Sequence, residues 1–167
     1  MTTILPLANL RQRDIPIGGG KAANLGELLH AGLNVPPGFV LTTSAYSHFV
    51  QAADLHKPIH SWLTTLDPLT GSQLRHAFVN QPMPTDLRHS LVSAYQQLGR
   101  NVPVAVRSSA TAEDLPGATF AGQQETYLNV CDEAELLLAV RNCWASLWTE
   151  RATLYRRKQQ VDQHSVK

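Results

Sequence analysis

The chain alternates between short apolar clusters with helical spacing and brief apolar runs bounded by proline and glycine. Residues 1–17 begin as an irregular or extended lead-in, LPLANL then RQRD then Ile15-Pro16-Ile17. From Lys21 to Ala31 the leucines at 25, 28 and 29 recur at i, i+3 and i+4, which predicts a helix with Gly32 as its stop. Pro36-Pro37-Gly38 then punctuates the chain, and Phe39-Val40-Leu41 reads as a short buried strand. Thr43 or Ser44 can cap a helix that runs to about Ala53, with Tyr46, Phe49 and Val50 on one face.

The middle of the chain, residues 54–99, is polar and predicts helices in shorter pieces. Ser61–Leu66, Ser72–Val79 and Asp86–Leu98 are the candidates, separated by Gly71 and by Pro82-Met83-Pro84. Val102–Val106 reads as a strand with Pro103 at an edge or a strand start. A polar loop, Arg107–Asp114, follows and ends in Leu115-Pro116-Gly117. Thr119–Val130 then reads as two short strands joined by a flexible turn. Asp132 to about Gln160 predicts one long helix. Asp132 and Glu135 form its N-terminal capping pattern, and Leu136, Val140, Cys143, Trp144, Leu147 and Trp148 supply a wide apolar stripe. In a short chain part of the Trp144, Leu147, Trp148 and Tyr155 face is expected to remain open as an interaction surface. The expected class is α+β: a small mixed or antiparallel sheet flanked by helices, with a long C-terminal helix.

Composition narrows the function more than the fold. The 167 residues are 43% hydrophobic and 16% charged, which excludes a disordered charged tail. A chain of this mass can bury about 70% of its surface on folding. Fourteen Lys and Arg against thirteen Asp and Glu leave a net charge of +1, so no nucleic-acid or anionic-membrane partner is expected. No apolar run approaches the roughly 18 residues of a bilayer span, and MTTILPLANLRQRD lacks a signal-peptide pattern. Two cysteines, Cys131 and Cys143, make neither a disulfide framework nor a metal site. The default address is cytoplasmic. Arg151, Arg156, Arg157 and Lys158 fall in the last turns of a helix, where cations complement its dipole.

Three segments carry candidate chemistry. Gly18-Gly19-Gly20-Lys21 opens a helix, where backbone N–H groups, the dipole and the lysine all favour an anion. The run is not a P-loop, because Ile15 stands where that motif needs glycine and Ala22 where it needs Ser or Thr. Phosphate contact and a plain flexible turn both fit. Arg107-Ser108-Ser109 follows a strand, so the arginine faces the crevice where α/β proteins hold ligands; a salt bridge to Glu113 or Asp114 fits as well. Ala118–Thr126 can form a mobile hairpin that closes over a nucleotide or merely faces solvent.

Taken together, GGKAANLGEL, NVPPGFVLTTSAY, VAVRSSATAEDLPGATFAGQQETYLNV and WASLWTERATLYR resemble the N-terminal ATP-binding region of the phosphoenolpyruvate synthase and pyruvate phosphate dikinase family. Rifampicin phosphotransferases are similar in the same segments. The resemblance implies that Lys21 and Arg107 contact ATP phosphates. It also implies that Gly122 and Thr126 contact the nucleotide, and that Gln123 and Gln124 belong to the loop covering the phosphates. It further implies that residues 1–167 form a single partial domain, the first subdomain of an ATP-grasp-like fold. The acidic Mg²⁺ ligands, the adenine contacts, the phosphocarrier histidine and the pyruvate-binding barrel would then belong to other parts of the enzyme, joined in cis or in trans. None of the seven histidines stands in the family's Thr-Ser-His type motif. No catalytic residue is therefore expected here, and the isolated chain is expected to bind ATP weakly without turnover. The resemblance favours the ATP-binding portion of a phosphoenolpyruvate synthase-like phosphotransferase; a rifampicin phosphotransferase-like or pyruvate phosphate dikinase fragment, or a stand-alone nucleotide-binding or interaction module, is the alternative.

Overall fold

A computed structural model describes residues 2–109, 125–163 and 166–167. Within them the elements run β1 (Ile4–Pro6), α1 (Ile15–Gly18), α2 (Gly20–His30), β2 (Phe39–Leu41), α3 (Thr43–Ala52), α4 (His56–Thr65), α5 (Pro68–Asn80), α6 (Thr85–Leu98), β3 (Val104–Arg107), β4 (Thr126–Val130), α7 (Glu133–Ser146) and α8 (Glu150–Lys158). Two 3₁₀ turns, Leu7–Asn9 and Gln12–Asp14, bridge β1 and α1, so the lead-in is more ordered than its sequence predicts. The strands form two separate antiparallel pairs, β1 with β2 and β3 with β4. The expected α+β class holds, with most of the mass in helices.

The aromatic residues of α3 and α5 build the centre of the core. Phe49 and Phe78 are fully buried, with ring centroids 5.9 Å apart. Each such burial contributes roughly 2–3 kcal/mol. Trp144 of α7 lies against both Phe49 (5.0 Å) and Tyr46 (5.9 Å, edge-on). Trp148 is 2% exposed, and its indole donates to the Tyr46 hydroxyl at 3.1 Å. The stripe expected to stay open is thus mostly buried within the chain: α3 covers it, and Trp144 and Tyr155 are half-buried.

Gly71 does not separate two helices. It sits in the first turn of α5, which Asp67 caps by accepting from the Thr70 N–H at 2.8 Å. A Cβ at Gly71 would lie 2.7 Å from the ring of Trp62, so the glycine lets that ring lie against the helix backbone.

The single long helix predicted from Asp132 to Gln160 is two helices. Asp132 caps α7 as expected, accepting from the Glu135 N–H at 2.8 Å. The chain then breaks at Leu147–Thr149. Ser146 turns its hydroxyl back to the Cys143 carbonyl (2.7 Å), and Thr149 starts α8 by accepting from the Ala152 N–H (3.2 Å). Hydroxyl groups that compete for backbone partners in this way favour helix ends over helix interiors. Arg156 secures the break. Its guanidinium reaches back to the Leu147 carbonyl (2.7 Å), donates to Gln163 (3.0 Å) and lies 5.6 Å from the Trp148 ring centroid. Burial lowers the Arg156 pKa to about 10, which leaves it charged at neutral pH. Arg157 donates to the Leu63 carbonyl. Two of the four cations assigned to the helix dipole therefore also serve packing.

The second tryptophan anchor tests this arrangement. Trp62 is fully buried and its indole N–H donates to Thr153 Oγ1 at 3.1 Å. Thr153→Val keeps the shape and leaves that N–H without a partner. Urea unfolding should show a loss of about 1–3 kcal/mol; an unchanged midpoint would mean that this hydrogen bond does not hold α8 to α4.

Candidate nucleotide site

The helix α2 begins without a side-chain cap of its own, because Gly19 occupies its N-cap position. Ser109, at the far end of β3, supplies the missing acceptor. Its hydroxyl accepts from the Ala22 N–H at 3.0 Å, across 87 positions of sequence. One residue earlier, the Ser108 carbonyl accepts from Lys21 Nζ at 3.3 Å. Gly19 has φ +78°, and a Cβ there would overlap the Ser109 carbonyl group. Only a glycine fits both the backbone angle and this approach. The glycine run therefore brings two chain segments into backbone contact, and one of the N–H groups available to an anion is already taken.

These contacts make one corner of a cleft of about 600 Å³. Lys21, Arg107, Ser108 and Ser109 line it on the polar side, and Val40, Val106 and Trp144 are among its apolar walls. Arg107 is exposed at the last position of β3. Thr126 stands directly opposite it in the β3–β4 register and is also exposed. Lys21, Arg107 and Thr126 are thus gathered at one end of one strand pair. Gly122, Gln123 and Gln124 lie outside the described residues, as do Glu113 and Asp114 and most of the predicted hairpin. The strand pair is held from below by Tyr95 of α6. Its hydroxyl lies 2.9 Å from the Val102 carbonyl and 2.7 Å from that of Cys131.

Cys143 is a cleft-lining residue that the sequence offers only as part of a helix stripe. It lies on α7 with its sulfur 4.0 Å from the Val106 carbonyl and 3.8 Å from that of Glu125. Burial pushes its thiol up to about 12, the Glu125 carboxylate adds to this, and Lys21 opposes it. Cys143 is a neutral wall of the cleft at physiological pH. No group of three or more His, Cys, Asp and Glu side chains among the described residues is placed to hold a metal ion. No helix among them is long and apolar enough to cross a membrane.

Electrostatically the corner is cationic. A lysine ammonium, an arginine fork and the start of an eleven-residue helix converge on it. A small α+β domain thus offers these groups from a helix start and a strand end. The particular family follows from comparison. The chain matches the pyruvate phosphate dikinase, AMP/ATP-binding domain family over residues 15–167, and it belongs to that family. It is 46% identical over 176 residues to the phosphoenolpyruvate synthase of Aeropyrum pernix, covering 98% of this chain and 22% of that protein. It is 44% identical over 178 residues to the probable phosphoenolpyruvate synthase of Methanocaldococcus jannaschii, covering 99% and 15%. Against the probable enzyme of Pyrococcus abyssi it is 39% identical over 201 residues, covering 94% and 24%. The chain thus spans roughly a quarter or less of these relatives.

Two measurements probe the corner. Ser109→Ala removes a cap and should cost about 1 kcal/mol in urea unfolding, whereas Gly19→Ala should cost about 2 kcal/mol or more by forcing β3 away from α2. Equal, small effects would contradict the contact. In thiol labelling at pH 8, half-buried Cys131 should react readily and Cys143 only as fast as the protein opens. The Cys143 pKa is raised in the folded state. Its contribution to stability is therefore complete below the unfolded thiol value of about 8.5 and declines as pH climbs towards 12.

Proposed function

We propose that this chain is the phosphate-gripping portion of the ATP site of a phosphotransferase resembling phosphoenolpyruvate synthase. The convergence of Lys21 and Arg107 on one cleft, at the strand end that Ser109 ties to α2, carries this reading. The match to an AMP/ATP-binding domain family supports it.

In this reading Lys21 sets a point charge against the terminal phosphates. Arg107 meets two phosphate oxygens with its planar fork. Thr126, opposite Arg107, adds a hydroxyl, and Gly122, Gln123 and Gln124 cover the phosphates from the adjoining loop. Phosphoryl transfer depends chiefly on positioning and charge stabilisation, so such groups do the work before any bond changes. ATP supplies the phosphoryl group. Carboxylates of a further segment, joined in cis or in trans, would hold Mg²⁺, which would neutralise phosphate charge. In the whole enzyme the phosphoryl group passes through a histidine outside residues 1–167 to pyruvate. This takes place in the cytoplasm, without nucleic acid or membrane.

Titration calorimetry with Mg-ATP on the 167-residue chain tests the assignment. Weak binding is expected, and Arg107→Ala should weaken it at least tenfold, or about 1.4 kcal/mol. An unchanged affinity in the Arg107 variant would remove Arg107 from the site.

A further inference from the structure

Lys21 and Arg107 stand on two different packing units. Among the described residues the buried side chains form two clusters. The small one gathers Leu10 and Ala22 with Leu5, Leu25 and Val40, and α2 rests on it. The main one is built around residues such as Phe49 and Trp148, with Val104 and Val106 of β3 packed against it. The β1–β2 pair separates them. Leu5 is paired with Val40, and Ile4 with Leu41. Alternation along a strand puts the first two residues on one face of the pair and the last two on the other. Leu5 and Val40 pack on the small cluster, Ile4 and Leu41 on the main one. The link between the two cations therefore runs past the edge of this pair rather than through a shared core.

Ser109 makes such a link. The first turn of α2 opens on Gly19 and Gly20, which offer no capping side chain and hold a helical turn poorly by themselves. Lys21 belongs to that turn, so fraying there moves the backbone from which its ammonium projects. Ser109 follows Arg107 by two residues, and its hydroxyl accepts from the Ala22 N–H, next to Lys21, at 3.0 Å. One hydroxyl thus ties the backbone that carries one cation to the backbone that carries the other. The approach leaves no slack, because a Cβ at Gly19 would overlap the Ser109 carbonyl group.

We propose that Ser109 is a positioning residue of the phosphate site. Its hydroxyl clasps the first turn of α2 to the end of β3, so that Lys21 and Arg107 meet one phosphate chain as a unit. Ser109 acts through Lys21 rather than on the phosphates. Without the clasp only a fraction of the molecules hold Lys21 in place beside Arg107, and the apparent affinity falls by that fraction. Reciprocally, a phosphate chain held by both cations strengthens the clasp. The proposal rests on the reading of Lys21 and Arg107 as phosphate ligands and adds to it a residue that sets their relative position.

The test uses the 167-residue chain and Mg-ATP. Titration calorimetry compares the wild type with Ser109→Ala, Lys21→Met, Arg107→Ala and the Ser109→Ala/Lys21→Met double variant, each checked for intact folding by circular dichroism. Ser109→Ala should weaken Mg-ATP binding about fivefold, the size of one lost cap. Lys21→Met should weaken it about tenfold. Adding Ser109→Ala to Lys21→Met should weaken it by no more than about a further twofold. Hydrogen exchange without nucleotide supplies a second readout. In Ser109→Ala the Ala22 amide should exchange at least about fivefold faster, with the Leu29 amide of the same helix unchanged. Unaltered affinity in Ser109→Ala beside weakened binding in Lys21→Met would overturn the positioning role and leave the phosphate site standing. An equal effect of Ser109→Ala with and without Lys21 would overturn the role too, as would faster exchange along the whole of α2. No binding by the wild type, or no effect of either Lys21→Met or Arg107→Ala, would overturn the phosphate reading and the positioning role with it.

Discussion

Gly19 and Ser109 meet where two distant segments must lie almost backbone to backbone. Ser109 caps α2 through the Ala22 N–H, and the absence of a side chain at Gly19 is what lets the strand end come close enough to do so. Beside this contact Lys21 donates to the Ser108 carbonyl and Arg107 lines the same cleft, and one helix-terminal N–H is spent on structure. The site is assembled from long-range pairing, and neither segment holds it alone.

The helical body behind the corner packs against both strand pairs. Tyr95 fixes β3 and β4 from α6, and α7 supplies the floor beneath them. Arg156 and Trp148 lock the break between α7 and α8, folding the second arm onto α3 and α4. A net charge of +1 then has a local meaning. In the proposed nucleotide site the positive charge is that of Lys21 and Arg107, while Arg156 and Arg157 are committed to carbonyl groups inside the fold.

Local patterns in the sequence reveal most of the elements. The leucine spacing of α2 and the Asp132–Glu135 cap appear as read, and Phe39–Leu41 is a strand, though half-buried rather than buried, because each depends on neighbours within a turn or two. The misreadings have long-range causes. Gly71 looks like a separator, but its meaning lies in the Trp62 ring packed against it. The break at Leu147–Thr149 is hidden in an unbroken apolar stripe, and only the Ser146 and Thr149 hydroxyls hint at it. The stripe itself looks unpartnered because its cover, α3, lies a hundred residues away. In the site, motif resemblance singles out Lys21, Arg107 and Thr126, and the structure gathers them at one strand end. The capping role of Ser109 leaves one local trace, a helix start with glycine where a capping side chain is usual.

Backbone amide NMR during an Mg-ATP titration tests the central claim most directly, since it reads both halves of the corner at once. The amides of Gly19–Ala22 and of Arg107–Ser109 should shift together, with one common saturation curve. Shifts confined to one of these segments, or centred on another part of the chain, would contradict the assembled site.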